Sequence, residues 1–319
     1  MRVATTHTTD KRAGFEKIVL VTRKTRLAEL VERFNTLPQA KFYIEHSGGD
    51  FQEYQLEDDA YRRSAEIVRR SLEVGLKFQE IDRGLVPTFT FLPEDVVITL
   101  GQDGLVANTA KYIGKQPLVA VNPDPERFDG ILLPFAPYQM GAALTKVIEG
   151  RCHICSVTLA EARMSDGQRL LAFNDLFLGA QTHVSARYRI RWIKNEEPQS
   201  SSGVLVSTGA GSTGWVSSVF NMASGVAALT GGHSVKPIRL DWADRRLLFV
   251  VREPFVSRHS KASIVAGIVE QQQALELESL MPSGGVIFSD GIEADFLQFN
   301  SGSSVTVRAA AETAQLVVG

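Results

Sequence analysis

"DVVITLGQDGLVANTAKYIGKQPLVAVN", residues 95–122, decides the fold class. An apolar run of strand length ends on the turn Gly101-Gln102-Asp103-Gly104, "GLVANTAKYI" resumes with helical spacing, and "PLVAVN" is a second buried strand. The same alternation begins upstream. "KIVLVT" at 17–22 is a short β-rich run, and "TRLAELVERFNTL" follows with helical spacing before Pro38. Residues 58–80 continue as an amphipathic helix with Ile67, Val68, Leu72 and Leu76 on one side. Alternating β and α elements imply a parallel sheet covered on both faces.

Beyond about Pro134 the texture changes. "RCHICSVTLAEAR", "QRLLAFNDLFLG", "VSARYRIRWIK", "SGVLVST", "RLLFVVREPF" and "GGVIFSDG" are short runs separated by Gly, Asn, Asp and Ser, which is the spacing of a β-rich domain. Its helical exceptions are "MGAALTKVIEG" and the segment after "STGAGSTG". The expected organisation is an α/β domain over 1–134, a β-rich nucleotide-binding domain over 135–300, and a strand or tail over 301–319 that adds to either domain.

Composition narrows the function. Among 319 residues, 34 Lys and Arg face 36 Asp and Glu, so no general basic field exists to hold a nucleic-acid backbone. No apolar run is long enough to cross a bilayer, and the polar "MRVATTHTTDKRAGFEK" lacks the apolar core of a signal peptide. Residues 1 to about 14 read as a frayed leader. Only two cysteines occur, Cys152 and Cys155, which points to a reducing compartment: the cytoplasm first, an organelle matrix second. One Cys-x-x-Cys is half of a four-thiolate zinc site whose other half is missing, so thiols packed along a strand are expected and no metal ligands are assigned.

Three stretches carry chemistry. Ligands of open α/β sheets bind beyond the carboxyl ends of strands, and Gly101 to Gly104 stand at such an end. Glycines let the backbone approach a phosphate, whereas the Asp103 carboxylate would repel one; the acid makes sense as acceptor of a hydroxyl proton. A helix-capping role for Asp103 is the structural alternative. In "SSGVLVSTGAGSTGWVSS", residues 201–218, Gly209, Gly211 and Gly214 fit the dinucleotide fingerprint, but the motif lies inside β-rich sequence and Asp241 comes later than the rule wants. The hydroxyls of Ser207, Thr208, Ser212 and Thr213 suit sugar or amide groups of a ligand. In "LAFNDLFLGA", Asn174 and Asp175 interrupt an apolar strand and need partners, either a nucleotide's base edge and ribose or the geometry of a two-residue β-turn.

In this order the three stretches resemble the NAD kinase family. "GQDG" is similar to its Gly-Gly-Asp-Gly signature, "FNDLFLG" to its Asn-Glu/Asp motif, and "STGAGSTGW" to its Gly-rich Thr-Gly-Ser-Thr stretch. "VAVNPDPERFDGILLPF", "VSARYRIRW" and "SSG" at 201–203 resemble the mitochondrial-type branch, and the likeness spans roughly residues 17 to 300. It implies an α/β domain followed by a β-rich domain, and transfer of the γ-phosphoryl of ATP, with Mg²⁺ or another divalent metal, to the adenosine ribose 2'-hydroxyl of NAD. It makes Asp103 the general base and Gly101 and Gly104 the phosphate loop. Asn174 and Asp175 hold the acceptor nucleotide, and Thr208, Ser212, Thr213, Gly214, Trp215 and Ser218 line its pocket. Asn122 lies where the family places another loop of the site, and a homo-oligomer is implied.

The chain departs from the signature at Gln102, where the second glycine is usual, at Leu105, usually Thr, and at Trp215, usually Tyr. A side chain at 102 would crowd phosphates or force a different turn, because only Gly takes φ > 0 freely. Trp215 keeps an aromatic able to stack on a base. Asp290 in "FSDG" is either a helper of the metal or a turn acid, and Arg127 either a site cation or an exposed turn arginine. The competing functions are a kinase of another hydroxyl, lipid or sugar, and an NAD(P)-binding sensor without catalysis. A Rossmann oxidoreductase built on Gly209 to Gly214 comes last.

Overall fold

In the computed structural model, which describes residues 7–8 and 14–319, the apolar runs at 17–22, 95–100 and 117–121 become the centre of one parallel sheet. The leader expected over 1 to about 14 lies outside the described residues except at 7, 8 and 14. The chain divides into two compact units, one reaching Cys155 and including Gln315–Gly319, the other formed by Ser156–Ala314.

In the first, the elements run β1 (His7–Thr8), β2 (Lys17–Thr22), α1 (Arg26–Phe34), α2 (Leu37–His46), α3 (Phe51–Ser71), β3 (Lys77–Asp82), β4 (Asp95–Leu100), α4 (Asp103–Ala110), β5 (Pro117–Val121) and α5 (Met140–Ile148). β3, β2, β4 and β5 are neighbours in that order and all parallel. Every residue of β4 and β5 is buried, as expected of strands covered on both faces. β1 pairs its backbone with Ile154 and His153.

Local chemistry sets the boundaries. Thr25 caps α1 by accepting from the Ala28 amide, and Asn35 closes it in the left-handed region at φ 64°. Pro38 does not end helical structure, as the sequence suggested; it opens α2, since a missing N–H costs nothing in a first turn. The helix expected over 58–80 is really 51–71, followed by edge strand β3. Gly75 at φ 81° breaks the chain there, and "KFQEID" is too exposed and polar to announce a strand. Tyr61, Ala65 and Val68 on the buried face of α3, with Leu72 at its C-cap, pack into the core, while Ile67 is exposed.

The second unit is antiparallel. Its strands are β6 (His153–Met164), β7 (Arg169–Ala172), β8 (Asp175–Ala180), β9 (Ala186–Trp192), β10 (Asn195–Ser201), β11 (Val204–Ser207), β12 (Leu247–Val251), β13 (Ala266–Val269), β14 (Leu275–Ser279), β15 (Gly285–Ser289), β16 (Ile292–Gln298) and the start of β17 (Ser304–Val318). One sheet has the order β13-β12-β11-β8-β15-β16; the other places β9 between β10 and β14, with β14 pairing Ser304 to Val307. Alternation in "ARYRIRW" and "LELES" turns Tyr188, Ile190, Leu275 and Leu277 inward against Leu178, Val206 and Phe249 of the facing sheet. Cys152 and Cys155 are buried free thiols, and burial pushes both above the ordinary thiol range.

The segment expected to add a strand to either domain adds to both. Residues 304–307 of β17 pair with β14, whereas Gln315 and Leu316 pair in parallel with Pro117 and Leu118 of β5.

Candidate functional site

In the α/β unit, β4 delivers the chain into the glycine-acid turn. Gly101 is closely packed: a Cβ there would lie 2.7 Å from Leu105 Cδ2, so the Leu105 side chain would have to shift to admit one. Leu105, the departure from Thr, is the buried residue beneath it. The Gly101 amide donates to Val121 O at 3.3 Å, so it continues the sheet. Gln102 is exposed with φ −94° and ψ 170°, an extended conformation open to any residue, so its side chain forces no unusual turn. It occupies the N-cap of α4 without giving the first-turn amides a side-chain acceptor, as at helix starts that take an anion. Gly104 is exposed and a Cβ on it would meet nothing within 4 Å, so the space beside that helix start is open.

Asp103 is the first residue of α4 and not its cap. It is half-buried, and its Oδ1 accepts from the Leu132 amide at 2.8 Å. The loop that supplies this amide is folded by Asn122, whose Nδ2 donates to Phe128 O at 2.6 Å and whose Oδ1 accepts from the Asp124 amide at 3.0 Å. Both polar ends of the buried Asn122 side chain therefore serve the loop. Gly130, at φ 56°, lets the loop turn close to Asn122 and Leu133. Arg127 pairs with Asp124 at 3.6 Å.

One cation beside this turn was not picked out from sequence. Arg23 follows β2, the parallel neighbour of β4; its amide donates to the Tyr61 hydroxyl, which donates to Leu100 O. The Arg23 guanidinium lies over the Tyr61 ring and pairs with Glu57 at 3.1 Å, while Arg26 pairs with the other Glu57 oxygen at 2.6 Å. Burial pushes the Glu57 carboxyl up, but hydrogen bonds from Arg26 and then Arg23 outweigh it and hold Glu57 below the usual range. Position was the available signal: Arg23 is the first residue past a strand's carboxyl end.

The β-rich unit carries the second constellation. Phe173 and Asn174 form the turn between β7 and β8, and the loop after β11 folds against it. Thr208 is fully buried; its Oγ1 donates to Phe173 O at 2.6 Å, and its amide donates to Asn174 O at 2.9 Å. The Ser212 hydroxyl donates to Gly209 O at 2.7 Å. Thr208 and Ser212 thus shape the loop from within, whereas Thr213, Gly214 and Ser218 are exposed at the start of α6 (Trp215–Leu229). A Cβ on Gly209 would fall 2.0 Å from Asp241 O, and one on Gly211 would fall 2.1 Å from Asn174 O. These glycines admit protein backbone, not a pyrophosphate, and β11 is antiparallel to both neighbours, so the dinucleotide fingerprint is not in its Rossmann setting.

Asp175 is buried, and burial first, then the charge of Asp290, pushes its carboxyl up to about 7. Asp290 is the turn acid of the two sequence alternatives: at φ 53° it accepts from the amides of Phe173, Asn174 and Asp175. Trp215 stacks on Phe177 at 5.7 Å between centroids, Phe177 stacks on Phe288 at 4.8 Å, and the Arg252 guanidinium lies 5.3 Å from the Trp215 ring. Among the described residues, no group of three or more His, Cys, Asp or Glu is placed to hold a metal, and no helix is long and apolar enough to cross a membrane.

Over nearly all of the chain the fold is similar to those of a solved NADH kinase and a solved NAD kinase. Yeast NADH kinase, solved with NADH, matches with a TM-score of 0.58 over 95% of this chain and 84% of its own, at 16% identity. The NAD kinase of Archaeoglobus fulgidus, solved with ATP, matches with a TM-score of 0.51 over 94% and 92%, also at 16% identity. In sequence, the NAD kinase of Chlorobium phaeobacteroides is 30% identical over 128 residues, 38% of this chain and 43% of that protein, so the alignment spans less than half of the relative. No protein-family model matches.

Proposed function

We propose that the protein is an NAD kinase, closest to the mitochondrial-type branch of that family, which transfers the γ-phosphoryl of ATP to the adenosine ribose 2'-hydroxyl of NAD and yields NADP. The observation that carries the proposal is Asp103: a carboxylate at the end of buried strand β4, fixed by one backbone amide, next to an open space at Gly104. A helix start suits phosphate there and the acid suits a hydroxyl, and phosphoryl transfer to an alcohol needs both.

In this reading, the 2'-oxygen forms a bond to the γ-phosphorus as the bond to the ADP oxygen breaks, and Asp103 takes the hydroxyl proton. The amides of Asp103 and Gly104 face the phosphates, and Gly101 contributes closeness of packing. Asn174 and Asp175 hold the acceptor nucleotide, with the exposed Thr213, Gly214 and Ser218 and the Trp215 ring beside them. Thr208, Ser212 and Asn122 act by holding their loops in shape. A divalent ion carried in on the ATP phosphates would neutralise charge on the transferring group. Most of the acceleration comes from alignment and fixed amide dipoles.

The partners of this proposal are NAD and ATP, in a cytoplasmic homo-oligomer. Incubation with ATP, Mg²⁺ and NAD, coupled to an NADP-specific dehydrogenase, tests it. NADH and polyphosphate in parallel reactions fix the acceptor and donor, and sedimentation velocity reads the subunit count. A wild-type protein that makes no NADP where a control enzyme does would sink the proposal, and tight NAD binding without turnover would favour the sensor.

A further inference from the structure

β15 and β16 are joined by two residues, Asp290 and Gly291, with φ of 53° and 73°. Positive φ at both central positions is the signature of a type I' hairpin turn, and Asp-Gly is a favoured pair for it. Turn geometry alone is satisfied as well by Asn-Gly, so it gives no reason for a charge at 290.

That reason lies in residues 173–175. Asp290 Oδ2 accepts from the Phe173 amide at 3.0 Å, and Oδ1 accepts from the Asn174 amide at 2.6 Å and the Asp175 amide at 3.3 Å. The Asp290 amide donates back to Asp175 O at 3.0 Å. Three successive N–H groups converge on one carboxylate, an anion-binding arrangement usually filled by a ligand and here filled by a side chain. The carbonyl side of the same turn is held by Thr208, which donates to Phe173 O and Asn174 O. The peptide groups at 173–175 are gripped from both sides, by Asp290 through N–H and by Thr208 through C=O.

We infer that Asp290 is a positioning residue: it fixes the backbone from which Asn174 and Asp175 project, and so sets the affinity for the acceptor nucleotide without touching it. The inference rests on the reading of Asn174 and Asp175 as acceptor contacts. It replaces the metal-helper role with a structural one, because the carboxylate is committed to three amides. Asp290 also lends the buried Asp175 a negative neighbour, so it acts on that side chain through charge as well as geometry.

The test uses the full chain with Asp290→Asn and Asp290→Gly. Both residues tolerate the left-handed conformation, so the turn survives. Asn replaces one acceptor with an N–H donor that faces an amide donor, and Gly removes the grip entirely. Hydrogen exchange at the amides of 173–175 is expected to rise by at least about tenfold in both, and the KM for NAD by about tenfold, the scale of a lost charge-assisted bond. The KM for ATP should stay within about twofold, since the proposed function assigns the turn to the acceptor and not to ATP. Unchanged exchange at 173–175 overturns the inference, as does a NAD KM that stays put or rises only in step with that for ATP. A wild type that makes no NADP removes the proposed function instead, and the exchange measurement still decides whether Asp290 anchors the turn.

Discussion

The Leu132 amide donates to Asp103 Oδ1 at 2.8 Å, tying the acid of the glycine turn to a loop that the Asn122 side chain folds. Because the bond is accepted by one oxygen, an amide side chain can preserve it. Asp103→Asn is therefore expected to keep the fold and its melting temperature while kcat falls by about 10² to 10⁴, the range of a lost general base. Steady-state kinetics with a thermal melt on the same preparation checks both halves; full activity in the variant would remove Asp103 from the chemistry.

The two glycines of the turn should separate stability from activity. In Gly101→Ala the new methyl meets Leu105 at 2.7 Å, an overpacking expected to cost about 1 to 3 kcal/mol of stability. In Gly104→Ala it meets nothing of the protein, so the melt should not fall. Yet kcat/KM for ATP should drop by roughly tenfold to a hundredfold, the effect of displacing a reacting group. Normal ATP kinetics in Gly104→Ala would argue against phosphate beside that helix start.

Asp175 gives a pH signature. Its carboxyl is raised to about 7 by burial and by Asp290, so between about 4 and 7 the folded protein holds a proton that the unfolded chain has released. Stability from this group is full below the unfolded value, declines as pH climbs through that window, and is lost above about 7. Asp175→Asn removes the dependence: relative to wild type it should gain up to about 4 kcal/mol between pH 4 and pH 8. Urea melts across that range decide it, and a pH-independent difference would contradict the raised carboxyl.

Gly211→Ala tests why the second motif is glycine-rich. The added carbon would sit 2.1 Å from Asn174 O, a backbone atom with no rotamer to escape into. Loss of more than about 3 kcal/mol is expected, beyond ordinary overpacking. A variant that melts like wild type would show that the loop can move away from Asn174.

Much of this was legible in the sequence. Buried parallel strands advertise themselves as apolar runs, so β2, β4 and β5 and the turn after β4 could be read directly. Edge strand β3 could not, because five of its six residues are exposed or half-exposed and its composition continues the helix before it. The site divides in the same way. Residue types and order offered Asp103, Asn174 and Asp175 as candidates, but nothing in local sequence shows that Thr208 and Ser212 point their hydroxyls inward. Nor does it show that Asn122 spends both polar ends on its own loop. Asp290 reaches residues 173–175 through pairing of β15 with β8, a register that only the folded sheet defines.

The pairing of residues 315 and 316 with 117 and 118 bears on how the chain is made. A ribosome delivers β2, β3, β4 and β5 early, yet the strand that covers the outer edge of β5 arrives only after the entire β-rich unit has been synthesised. Until then the Pro117–Leu118 end of "PLVAV" presents an unpaired apolar edge, Val121 being bridged in parallel to Phe135, and such an edge recruits other chains. Nascent chains released before residue 315 should aggregate through β5, and the loop that must close to protect it is long enough to slow the final step of folding.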